Sequence, residues 1–157
     1  MRQDNRFPRV LHALLHLSDM KDPATSEQLA GMLNTNAAVV RRTMAGLREQ
    51  GILTSIKGHG GGWQLAKTLD QITLAEIYEA LGAPTLFALG YSNESSPCLM
   101  EKAANAATAR ALQKASETFI GILSSVTMAD LADDFEKRLA ELGLTQDDLH
   151  HTGPQDG

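Results

Sequence analysis

Residues 51–67 limit the fold of this chain more tightly than any other stretch. They read Gly-Ile-Leu-Thr-Ser-Ile-Lys-Gly-His-Gly-Gly-Gly-Trp-Gln-Leu-Ala-Lys. Residues 53–56 and 63–65 are short apolar runs suited to strands, and between them residues 57–62 hold four glycines. Glycine tolerates positive φ and lets backbone approach another surface closely, so the pattern predicts a small basic hairpin with a flexible tip. A helix carrying Arg41 and Arg42 comes directly before it. A helix followed by such a hairpin is the layout of a winged helix-turn-helix. In that layout the second helix enters the major groove and the wing reaches along the phosphates. The pattern therefore predicts a chain that reads DNA.

Upstream, Phe7, Val10, Leu11, Leu14, Leu15 and Leu17 recur with helical period. Residues 19–24, which include Pro23, read as a loop. Thr25 and Gln28 then form a capping box, and Leu29, Ala30 and Leu33 make the buried side of a short helix. Residues 34–36 have turn chemistry, and the Asn36 side chain can cap the next helix, expected over 37–50. Gly51 stops that helix as a natural C′ residue. Val40, Met44 and Leu47 form its inner stripe, with Arg41, Arg42 and Arg48 outside it.

The net charge of −5 argues against a nucleic-acid partner only until it is divided along the chain. Residues 1–67 hold nine Lys/Arg against five Asp/Glu, and residues 68–157 hold five against fourteen. Phosphate binding depends on where positive charge clusters. The half with the helix-turn-helix pattern carries +4, and the acidic half, at −9, is expected to face away from DNA. Aromatic content of 4% leaves Leu, Ile, Val and Met as the large apolar units, which favours helix packing. No run of 18 or more apolar residues is present, and no secretory leader pattern, so no membrane partner and a cytoplasmic location are expected. One cysteine, Cys98, rules out an internal disulfide and a multi-cysteine metal site within one chain.

Thr73 and Glu76 form a second capping box, starting a helix with Leu74, Ile77, Tyr78 and Leu81 on one face. Residues 82–97 form a loop rich in Gly, Ser and Pro, with Phe87, Leu89 and Tyr91 as its bulky members. A long helix is expected over 97–123, with Leu99, Ala103, Ala106, Leu112, Ala115, Phe119, Ile122 and Leu123 as its apolar positions. So small a domain cannot cover a helix of this length, and its many alanines let a second helix come close. A last helix is expected from Thr127 to about residue 142, followed by a frayed tail. The organisation expected is a winged helix-turn-helix DNA-binding domain over 1–67, then a connecting helix and sensor loop over 68–97. Dimerisation helices over 98–142 and a flexible tail over 143–157 complete it. The fold class is mainly α, a winged helix-turn-helix with a long C-terminal dimerisation helix.

Several segments together resemble the Rrf2 family of bacterial transcription regulators. They are Thr-Ser-Glu-Gln-Leu-Ala at 25–30, Val-Val-Arg-Arg at 39–42 and Leu-Arg-Glu-Gln-Gly-Ile-Leu at 47–53. They continue with Gly-His-Gly-Gly-Gly-Trp-Gln-Leu-Ala at 58–66, Ile-Thr-Leu-Ala-Glu-Ile-Tyr at 72–78 and Val-Thr-Met-Ala-Asp-Leu at 126–131. The resemblance covers about residues 6–135. It implies a homodimeric winged-helix repressor or activator, with repression the expected action, whose long helix pairs with that of a second subunit and follows a sensor loop. Iron–sulfur members carry three cysteines in that loop and helix start. Cys98 resembles the last of them, and residues 82–97 have none. A [2Fe–2S] cluster takes about four ligands, so the chain resembles the cluster-free branch and no cofactor is expected.

Arg41 and Arg42 are the candidate groove or phosphate contacts, since guanidinium matches guanine O6/N7 in a two-pronged fashion. Asn36, Ala37, Ala38 and Val39 form the entering end of the helix, where small residues permit close approach and Val39 can meet a thymine methyl. Lys57 and His59 are candidate backbone contacts on the wing. A solvated helix face is the plainer reading of the arginines. His12 and His16 have the i, i+4 spacing that can hold a metal, but lack the Glu of a His-Glu-x-x-His pattern and a third ligand. They are read as a contact pair, and no metal is expected. His150 and His151 read as tail. The acidic residues Asp130, Asp133, Asp134 and Glu136 suit the helix dipole of the last helix. Cys98 has two readings, a redox sensor activated at a helix start and a small packed residue. Nothing supports nucleophilic catalysis, so an enzyme is not expected. The alternative to DNA binding is a winged helix used for protein–protein contact. A small-molecule effector, if the chain has one, would enter near Phe87 and Tyr91.

Overall fold

The computed structural model describes residues 4–150. Helix α1 (Arg6–Asp19) buries Val10, Ala13, Leu14 and Leu17 on one face. Helix α2 (Ser26–Met32) starts on the expected capping box. Thr25 accepts from the Gln28 N–H and the Gln28 side chain accepts from the Thr25 N–H. Asn34, at φ 49°, makes the sharp turn into α3 (Ala37–Glu49), a conformation asparagine tolerates better than most residues. Helix α3 buries Val40, Met44 and Leu47, the stripe the sequence predicts. It ends at Gly51 (φ 74°), whose N–H reaches the Arg48 carbonyl at 2.9 Å while Ile52 N–H reaches Leu47 at 3.0 Å.

Strands β1 (Leu53–Ile56) and β2 (Gly62–Leu65) pair antiparallel, Leu53 opposite Leu65 and Ile56 opposite Gly62. The wing is also tied at its other edge. Ala24 N–H donates to the Trp63 carbonyl at 2.9 Å and Trp63 N–H to the Ala24 carbonyl at 2.8 Å. The segment 19–24 is thus not wholly a loop, because its last residue acts as a one-residue third strand. This pairing explains Gly62, where a Cβ would sit 2.4 Å from the Ala24 carbonyl oxygen. Gly61 is equally constrained, its Cβ position being 2.2 Å from the Ile56 oxygen. These two glycines are steric requirements of the hairpin, beyond any mobility of its tip.

Helix α4 (Leu74–Ala80) opens on the second capping box, between Thr73 and Glu76. The Thr73 N–H and the Lys67 ammonium at 2.9 Å hold the Glu76 carboxyl below its ordinary range. Residues 82–98 contain no helix or strand. Helix α5 (Leu99–Ser125) has 27 residues, and α6 (Met128–Leu142) begins on a third capping box, between Thr127 and Asp130. Leu74 N–H donates to Val126 and Met128 N–H to Ile72, both at 2.9 Å, so the starts of α4 and α6 are stitched together. One apolar core runs from Val10 through α2, α3, the wing base and α4 to Leu123 and Met128.

Two expectations need correcting. The tail is not uniformly frayed from residue 143: Gly143 (φ 67°) caps α6, and a short helix α7 (Gln146–His150) follows. Thr145 N–H and Oγ1 both donate to the Asp148 carboxylate at 2.7 Å, which starts that helix. Residues 151–157, including His151, lie outside the described residues. In α5, the apolar positions taken together as one set divide between two sides, with Leu112 and Phe119 turned toward the core. Phe119 packs edge-on against Tyr78 with centroids 5.5 Å apart, and Leu112 lines a cavity with Tyr78, Leu86 and Phe87. The outward face carries Met100, Ala104, Ala107, Ala111, Ala115 and Ile122, all exposed.

Candidate nucleic-acid interface

Helix α3 is placed by its buried stripe, and its other side is open. At about 100° per residue, Ala38 and Arg42 lie opposite Val40–Met44–Leu47, with Val39 and Arg41 flanking them. Ala38, Val39, Arg41 and Arg42 are all exposed. Asn36 is exposed as well, and its Oδ1 accepts from the Val39 N–H at 3.0 Å. Its carbonyl oxygen is thus committed to the cap, which leaves the amide NH2 as the group able to donate outward. Ala37 is half-buried against the core.

Arg41 Nη1 lies 3.2 Å from Glu27 on α2, with both side chains more than half exposed. Exposed pairs of this kind contribute on the order of 0–1 kcal/mol, so phosphate or guanine can displace Glu27. On the wing, Lys57 and His59 are exposed at the tip. Gly58 (φ 90°) and Gly60 (φ 73°) make the turn that projects them.

The contacts fixing the wing against the helices had no local signature. Trp63 Nε1 donates to Ser26 Oγ at 2.9 Å in a buried bond that joins the wing to α2. The Arg48 guanidinium lies 5.9 Å from the Trp63 ring centroid, and its Nη1 donates to Ser55 Oγ at 3.3 Å. Arg48 therefore braces the end of α3 against the wing. The sequence placed Arg48 outside the stripe without giving it a task, and it passed over Ser26. It also missed Arg9, which lines a cleft between α1 and α3 together with Thr35, Val39 and Thr43. Arg9 and Arg6, the latter paired with Asp4, add exposed cations beside the open face of α3.

Cys98 is the N-cap of α5, is exposed, and makes no side-chain cap. The packed-residue reading does not hold within one chain. Around it Cys98 N–H donates to Ser96 Oγ at 3.2 Å, and Ser92 exchanges three hydrogen bonds with Asn105. Hydrogen bonds from Ser96 and Ser92 hold the Glu101 carboxyl below its ordinary range. Oxygen and amide groups thus close this loop onto α5. With one cysteine in the chain, the donor set does not fit an iron–sulfur cluster of about four ligands. Among the described residues no group of three or more His, Cys, Asp or Glu gathers. No described helix is long and apolar enough to cross a membrane.

A family model described as "Rrf2: Iron-dependent Transcriptional regulator" matches residues 4–134. The chain is 31% identical over 124 residues to an inferred HTH-type transcriptional regulator of Synechocystis, slr0846, covering 78% of this chain and 81% of that protein. It is 30% identical over 129 residues to YwnA of Bacillus subtilis, likewise inferred to be an HTH-type regulator, covering 82% and 95%. Its backbone matches that of a crystallised protein from Lactobacillus plantarum, likewise inferred to be a transcriptional regulator, with a TM-score of 0.72, at 23% identity, over 87% and 93% of the two chains.

Proposed function

We propose, from the premise that this chain belongs to the Rrf2 family of transcriptional regulators, that it binds a two-fold operator as a homodimer and represses transcription in the cytoplasm. The observation that carries this reading is the open face of α3, with Ala38 and Val39 for close approach and Arg41 and Arg42 to reach base edges. Lys57 and His59 on the wing and Arg9 on α1 contact the flanking phosphates, and the Asn36 amide donates at the entering end. The DNA-binding unit is residues 1–67 resting on α4, residues 68–97 carry the connecting helix and sensor loop, and residues 98–142 form the pairing helices. Pairing is favoured by α5, where Leu99 is 78% exposed, Met100 85% and Ile122 58%. Their slim neighbours at 104, 107, 111 and 115 allow two helices to approach closely. Cys98, exposed at the start of that helix, is the redox-sensing candidate. Comparing the DNA affinity of wild type and Cys98→Ser before and after mild peroxide decides that role.

Duplex binding measured across a salt series tests the reading. Affinity should fall steeply as salt rises. Lys57→Ala should weaken binding to all sequences alike and lower the salt slope by about one unit. A chain that ignores duplex DNA at low salt would instead be a winged helix used for protein contact.

A further inference from the structure

His12 and His16 stand one turn apart on α1, and their Nε2 atoms lie 2.8 Å apart. The ring centroids are 4.6 Å apart and the planes are tilted by 53°, so the two nitrogens converge instead of the rings stacking flat. We propose that this pair is a two-imidazole chelating site for a divalent transition metal of the Ni2+, Cu2+ and Zn2+ class. Histidines at i, i+4 on a regular helix can present both imidazoles to one cation, and imidazole suits these metals. With metal–nitrogen bonds of about 2.0–2.1 Å, two neighbouring ligands on one ion sit roughly 2.9–3.4 Å apart. The observed separation is within a few tenths of an ångström of that range.

Without metal, the contact has one ring donating its Nε2–H to the Nε2 lone pair of the other. Metal entry requires that the donating ring carry its proton on Nδ1 instead of Nε2 and that the rings turn until both Nε2 lone pairs meet at one ion; no electron is transferred. Among the described residues no third and fourth ligand gather round the pair, so water completes the coordination and the affinity is modest. The inner face of α1 is locked in the core by Val10, Ala13, Leu14 and Leu17. The turn that carries the pair is therefore preformed in the folded chain. A metal held there binds the folded state in preference to the unfolded one and raises stability.

The experiment is Ni2+ uptake by the full chain, followed by calorimetry and by thermal melting. Wild type is compared with His12→Gln, with His16→Gln and with the tail variant His150→Gln/His151→Gln. Wild type should take up Ni2+ through α1 and gain about 5–10 °C in melting temperature at a hundredfold excess over Kd. Each α1 variant should lose tenfold or more in affinity and most of the melting shift, while the tail variant keeps the shift. Circular dichroism without metal confirms that the variants remain helical, as glutamine is a good helix former. Absence of a melting shift in wild type at millimolar Ni2+, or an undiminished shift in both α1 variants, overturns the site. Loss of the shift in the tail variant overturns it as well.

Discussion

The winged-helix unit and α5 are built from similar apolar fractions but spend them differently. In α1 to α4 and the wing, apolar stripes meet one another: Leu14, Leu29, Met44, Leu47, Ile52 and Ile77 are all fully buried. In the 27 residues of α5 only Leu123 is buried. Burying apolar surface contributes about 25 cal/mol per Å², so the first unit holds most of the core, while α5 adds to it through Leu123, Phe119 and Ile120 and leaves its outward side uncovered. The N-terminal unit presents a rigid polar face to a ligand that is not protein. Helix α5 presents a slim apolar face that its own chain leaves exposed, and the proposed pairing rests on that face.

The largest expected effect lies on the polar face. Replacing Arg41 and Arg42 together by Ala should reduce operator affinity by on the order of a hundredfold or more, each two-pronged base contact being worth roughly 1–3 kcal/mol. Sedimentation and helix content should be unchanged. Undiminished operator affinity would mean that the two arginines are a solvated face.

Next comes Ala111→Glu, at the middle of the outward stripe. A carboxylate buried without a partner between two helices costs several kcal/mol, so the variant should sediment as a monomer and bind the operator weakly. Its melting should stay close to that of an undimerised wild type, because Ala111 touches none of the core. A dimer that tolerates this charge would place the interface on another face.

A smaller effect is expected where the two regions of the reading head join. Trp63→Phe keeps a ring against Arg48 but leaves Ser26 Oγ without its donor, and an unmet buried polar group costs about 1–3 kcal/mol. Thermal melting should register that loss. The salt slope should also shrink, because a loosened wing holds Lys57 and His59 less well. A loss of stability with an unchanged slope would mean that the wing is positioned by the backbone pairing of Ala24 and Trp63 alone.

Legibility in the sequence follows the range of the forces involved. The α3 stripe, the Asn36 cap, the Gly51 stop and the capping boxes at Thr25, Thr73 and Thr127 are set by residues within four positions of each other. The Thr145–Asp148 box was legible too, and it is the signal that would have found α7. The two faces of α5 were not separable in the sequence because alanine fills the helix nearly all round. Periodicity carries information only where apolar and polar positions contrast, and there Leu112 and Phe119 looked no different from Ile122. Arg48 on Trp63, Trp63 on Ser26 and Ala24 on the wing join residues 15 to 39 positions apart, and no local pattern announces them. Arg9 was missed for the same reason, since its place beside α3 depends on how α1 crosses the core.

The most direct test of the account is a footprint on genomic DNA selected by the purified chain. A paired reader predicts an inverted repeat, protected in two half-sites about 34–36 Å apart on one face of the duplex, with two chains bound per site. Protection of a single half-site by one chain, or no selection over random duplex, would contradict it.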